Sequence, residues 1–164
     1  MVDYAGNEIK EGQGCLSCAY VKHEFSLPAG MAFENEMFTL SQDWELPIVG
    51  FFVVTPKRHV ESLAELSDAE RNAMFTLVNE AIKVLKKHNV CEFYNVIFEE
   101  KPNRHLHIWL MPRHEWLKAM FGNPTKHISE IFDYAKSNLR NYENFKKIQE
   151  TTDILKRELS KIDL

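Results

Sequence analysis

The stretch "HLHIWLMP", residues 105–112, constrains the fold more than any other, because its two-residue alternation is that of an extended chain. On a strand, Leu106, Ile108 and Leu110 share one face, while His105, His107, Trp109 and Met111 share the other. The aliphatic face is the one to bury, so the strand belongs to a sheet with a core on that side. The two imidazoles then stand side by side, about 6.5 to 7 Å apart at roughly 3.3 Å rise per residue. Such a pair is either two half-buried structural rings or a site in which one ring holds something and the other attacks something.

The remaining elements assemble around that strand. "CEFYNVIFEE" precedes it across the short connection Lys101-Pro102-Asn103, which suits an antiparallel hairpin. "MAFENEMFTL" predicts two short strands, Met31 to Phe33 and Met37 to Leu40, around a turn. "IVGFFVVT" predicts a strand from Ile48 to Thr55, stopped by Pro56. Ser67 with Glu70 three residues on is a capping box. Ala73, Met74, Leu77, Val78, Ala81, Ile82 and Leu85 then trace one helix face, and Asn89 suits a left-handed stop.

From Ser129 onward, Ile131, Ala135, Leu139, Tyr142, Phe145, Ile148, Thr152, Leu155, Leu159 and Ile162 recur every three or four residues. They describe a long helix, or two with a break, packed on one side. The predicted class is α+β: an antiparallel sheet with one long central helix and a C-terminal helical extension. Residues 1–122 would form the domain, and residues 123–164 the extension, packed on that domain or on a dimer partner.

A formal net charge of -4 supplies no basic field for nucleic acid or anionic lipid. No apolar run approaches the roughly 20 residues that cross a bilayer, and the first residues lack an apolar signal region. Three cysteines do not make a disulfide scaffold. The expectation is a cytoplasmic protein that binds neither nucleic acid nor membrane.

"CLSC" sets Cys15 and Cys18 at a spacing that lets two thiolates meet one ion. "TPKRH" adds His59 just beyond a strand end. With His105 these make Cys2His2, the ligand set of a closed tetrahedral zinc site. The gaps, 41 positions from Cys18 to His59 and 46 from His59 to His105, are not those of a zinc finger. A site drawn from such distant segments would tie the N-terminal segment to the sheet. A redox dithiol, or two unrelated buried thiols, are the other readings of the cysteine pair.

Together these motifs resemble the histidine triad (HIT) superfamily of nucleotide hydrolases and transferases. "HLHIWLMPR" is similar to the family's alternating histidine motif, and "GFFVVTPKRH" to its upstream strand ending in Pro-Lys-x-His. "CLSC" is similar to the cysteine pair of zinc-bearing members, the galactose-1-phosphate uridylyltransferase branch among them. The resemblance runs from Gly14 to Arg113, with the motifs in the family's order.

The resemblance implies Cys15, Cys18, His59 and His105 as ligands of a structural zinc ion, and His107 as the nucleophile. It implies attack on the α-phosphorus of a nucleotide conjugate, with a nucleotidyl-histidine intermediate, in a chain that pairs as a homodimer. Asp43 stands where the family binds ribose hydroxyls, and Asn95 where it often has an asparagine.

Two departures bear on the chemistry. Trp109 replaces the third histidine, and Gly50-Phe51 replaces a Gly-His pair. The family's glutamine before the motif is also not evident. Tryptophan accepts no proton and offers one N–H, so it would orient a phosphate oxygen or wall the site. Asn95, Trp109, Arg104 and Arg113 are the candidate phosphate donors. The alternatives are a non-catalytic nucleotide-binding or scaffolding module, and a redox protein using the cysteine pair.

Overall fold

The computed structural model describes residues 2–9, 14–100 and 104–162. Five strands form one antiparallel sheet: β1 (Met31–Glu34), β2 (Phe38–Gln42), β3 (Phe52–Pro56), β4 (Tyr94–Glu99) and β5 (His107–Pro112). Their order is β1-β2-β3-β5-β4, so the histidine strand β5 lies inside the sheet and β4 at its edge. A short helix α1 (Leu16–Val21) carries the cysteine segment, and α2 (Asp68–Lys87) crosses from β3 to β4. Three helices follow β5: α3 (Glu115–Phe121), α4 (Ile128–Asn138) and α5 (Tyr142–Leu159).

Alternation sorts the side chains as the sequence implies. Phe38 and Leu40 of β2, Phe52 and Val54 of β3, and Ile108 and Leu110 of β5 point to one face and are buried. The long helix α2 covers them with Met74, Leu77, Ala81 and Leu85, and α5 adds Leu155 and Leu159. Ser67 accepts from the Glu70 N–H, while the Glu70 carboxylate accepts from the Ser67 N–H, so the capping box starts α2 as expected. Asn89, at φ 55°, turns the chain out of it.

The opposite face is split. Towards α3 and α4, Met111 packs with Leu117, Ile131 and Ala135 and with Leu46, Ile48 and Phe51 from the loop before β3. Towards β2 the face is polar, with Thr39 and Ser41 opposite Thr55 and Val53. The α1 segment, held by its own small cluster of Tyr20, Val21 and Leu27, roofs that half.

Two expectations change in the structure, and an alternative left open for the C-terminal stripe is decided. The strand read from Ile48 begins only at Phe52, because the Phe51 N–H bonds the Ile48 carbonyl in a turn. Gly50 sits there at φ +81°, where a Cβ would come within 2.8 Å of the Val90 side chain. The strand read from His105 begins at His107, and the Leu106 N–H bonds the Val60 carbonyl outside the ladder. The C-terminal stripe is two helices with a break at residues 139–141, and α5 lies on α2 and β1 of its own chain. The β4–β5 pairing is the antiparallel one expected, and the Lys101-Pro102-Asn103 connection lies outside the described residues.

Candidate functional site

Cys15, Cys18, His59 and His105 come together, with their ligand atoms all within 4.8 Å of one another. Cys15 Sγ lies 3.4 Å from His105 Nδ1, and Cys18 Sγ lies 3.6 Å from that nitrogen and 3.3 Å from His59 Nδ1. Tetrahedral zinc, with bonds of about 2.3 Å to sulfur and 2.0–2.1 Å to nitrogen, separates sulfur from nitrogen by about 3.5 Å. The donor set and its spacing therefore fit such an ion.

The protonation state fits as well. His105 Nε2 donates to the Pro56 carbonyl at 2.7 Å, which leaves Nδ1 as the lone-pair nitrogen facing the sulfurs. Burial pulls the His105 imidazole down to about 4, so the ring is neutral at physiological pH. Burial and the neighbouring Cys15 push the Cys18 thiol up to about 11, so an incoming cation has a proton to displace there.

Beside this cluster the His105 and His107 rings stack with centroids 6.2 Å apart, close to the spacing expected of one strand face. His107 opens into a cavity of about 700 Å³ between α1 and the polar half of the sheet. Its Nε2 lies 2.7 Å from Ser17 Oγ. On the Nδ1 side the Glu99 carboxylate, paired with His107 across β4 and β5, stands 3.9 Å away. Neither Ser17 nor Glu99 was foreseen. Ser17 had a usable signal, since a residue between two ligands of one ion is carried wherever they go. Glu99 had none, because strand register is set by the tertiary fold.

Asp43 also lines the cavity. One of its oxygens accepts from the N–H groups of Glu45 and Leu46 at 2.9 and 2.8 Å. Burial pushes its carboxyl up to about 6 against those two bonds. Trp109 walls the cavity, its ring edge-on to Phe51 at 5.9 Å and tilted against Phe132 at 5.6 Å.

Asn95 is not brought to the site. It pairs with Met111, beyond the Ile97–Trp109 pair, and its amide nitrogen is buried without a hydrogen-bond partner among the described residues. Arg104 lines the cavity; Arg113 points to solvent elsewhere. His114 is half-buried and donates from Nε2 to the Val49 carbonyl at 2.7 Å.

A family model for the HIT domain matches residues 26–116, more than half of the chain. The chain belongs to the HIT domain family. An uncharacterized HIT-like protein of Methanocaldococcus jannaschii is 27% identical over 106 residues, covering 62% of this chain and 80% of that one. The HIT fold extends through the C-terminal helices in two solved structures. A zinc-bound histidine triad family protein from Mycobacterium smegmatis superposes with a TM-score of 0.62 at 17% identity, over 90% of this chain and 94% of its own. A hypothetical histidine triad nucleotide-binding protein from Sulfolobus tokodaii does so with a TM-score of 0.63 at 20% identity, over 89% and 94%. Among the described residues of this HIT protein, no helix is long and apolar enough to cross a membrane.

Proposed function

We propose that this protein is a nucleotide hydrolase or nucleotidyltransferase acting at the α-phosphate of a nucleotide conjugate, a dinucleoside polyphosphate or nucleoside phosphoramidate. The observation that carries the reading is His107: a strand-mounted imidazole whose Nε2 faces an open cavity beside a separate metal-ligand cluster. Its neighbour His105 is committed to the cluster, so the two rings divide holding from attacking.

In this reading neutral His107 attacks phosphorus through Nε2. A nitrogen–phosphorus bond forms as the bond to the leaving group breaks, giving a nucleotidyl-histidine and the leaving group. Water or another acceptor then attacks the same phosphorus, breaks that bond and restores the free imidazole. Arg104, on the cavity wall, supplies positive charge for the phosphoryl oxygens. Asp43 meets the ribose hydroxyls with the carboxylate oxygen that does not cap the Glu45 and Leu46 N–H groups. Trp109 lines the same cavity beside His107.

Zinc is the metal the Cys2His2 set favours, and the Mycobacterium neighbour of the same fold is zinc-bound; in this chain the ion would cross-link the α1 segment to the sheet. The thiolate ligands favour a reducing compartment such as the cytoplasm. A homodimer is the assembly in which we expect the chain to work.

A non-catalytic nucleotide-binding module is the second reading, and Trp109 in the place of the third motif histidine favours it. Phosphorus NMR of adenosine phosphoramidate and dinucleoside polyphosphates decides between the two. Turnover that disappears in His107→Ala, with a nucleotidyl-histidine trapped in the parent, is the expected result. Binding without any product establishes the module. Equal turnover in variant and parent removes His107 from the chemistry.

A further inference from the structure

Cys15 and Cys18 bracket a residue that the family motif leaves unassigned. Ser17 projects from α1 towards β5, and its Oγ reaches to 2.7 Å from His107 Nε2. The backbone that carries it is anchored on both sides: Cys15 meets His105, and Cys18 meets His59 and His105. The Ala19 N–H bonds the Cys15 carbonyl and closes the turn. A side chain on so short a tether, between two ligands of one ion, has its position set by that ion.

We propose that Ser17 is a positioning residue of the transfer site, and that through it the metal cluster controls the orientation of the attacking nitrogen. The proposal rests on the reading of His107 as the nucleophile. The Ser17 hydroxyl donates to Nε2, which fixes that nitrogen as the unprotonated one and leaves the ring proton on Nδ1, the side faced by Glu99. This is the tautomer that attack through Nε2 requires.

When phosphorus approaches Nε2, the hydroxyl leaves that line by rotation about χ1, a change between staggered wells. It then donates to a phosphoryl oxygen arriving in its place. The metal ion touches no substrate, yet its removal frees Ser17 and with it the His107 ring.

The test uses the metal-loaded protein and its Ser17→Ala and Ser17→Thr variants. Long-range proton–nitrogen NMR of the histidine rings reports the tautomer of His107 and the hydrogen bond at Nε2 without requiring turnover. The metal content of each variant shows whether the cluster survives. Ser17→Ala is expected to keep about one ion per chain, move the Nε2 resonance of His107, and lower kcat about 10- to 100-fold with KM little changed. Ser17→Thr, which keeps the hydroxyl, is expected to restore most of both. Removing the metal from the parent should move the same resonance.

An Nε2 resonance and a kcat that are unchanged in Ser17→Ala overturn the proposal. An unchanged resonance after metal removal overturns the coupling to the cluster. A parent without turnover defeats the reading of His107 as nucleophile but not the measurement, since the resonance alone then accepts or rejects the contact.

Discussion

Asp43 shows how a single residue carries opposed demands. Its carboxyl is buried, capped by two backbone N–H groups, and pushed from its ordinary value of 3.8 up to about 6. Below about pH 4 the group is protonated in both folded and unfolded chains and contributes nothing to the pH dependence. As pH rises towards 6 the unfolded chain loses this proton first, so stability falls, and the deficit is constant above the folded value. At 1.36 kcal/mol per unit it reaches about 3 kcal/mol at most. Asp43→Asn keeps an oxygen for both N–H groups and removes the charge. It is expected to stabilise the protein at pH 7 by up to about 3 kcal/mol but not at pH 4, read from urea denaturation at the two pH values. Nucleotide binding by the variant, followed by calorimetry, is expected to weaken, as the proposed contact of Asp43 with the ribose hydroxyls requires.

At the scale of elements, two loops decide where the strands begin. The run "IVGFFVVT" carries strand propensity throughout, yet Gly50 turns the chain and sends Ile48 and Phe51 into the second core while Phe52 enters the first. Gly50→Ala would need a left-handed backbone from an L side chain and a shift of Val90. It is expected to cost about 1–3 kcal/mol, visible as a lower urea midpoint with an unchanged slope. The start of α2 is the opposite case, fixed by local chemistry. The same Glu70 that closes the capping box also holds Arg58, and both interactions pull its carboxyl down to about 2. Ser67→Ala is expected to cost about 1 kcal/mol, measured in the same denaturation experiment.

For the whole molecule, the α1 segment is the loosely attached part. Among the described residues it is held by a small cluster built on Ile9, Tyr20, Val21 and Leu27, by the contact of Ser17 with His107, and by the Cys2His2 group that joins it to His59 and His105. The sheet and α2 share a much larger core. Stripping the metal with a chelator is therefore expected to raise hydrogen exchange in residues 15–22 while α2 stays protected, because the cross-link stabilises only the folded arrangement that contains it. Uniform loss of protection across α2 as well would mean that the metal supports the entire fold. The cavity lies between this segment and the polar half of the sheet.

The sequence by itself determined what depends on near neighbours along the chain. The alternation from His107 to Met111, the helix face and capping box of α2, and the helical period after Ser129 are all local and so legible along the chain, while the break that divides that last stripe into two helices was not. The four candidate ligands were legible because few side-chain types hold a metal ion, whatever their separation. Only the tertiary structure decided the rest. Register across β4 and β5 brought Glu99 to His107 and left Asn95 away from the cavity, although both lie in one strand read from one pattern. The meeting of Ser17 with His107 spans 90 positions, and a hydrogen bond across such a distance is set by packing, to which no local preference gives access.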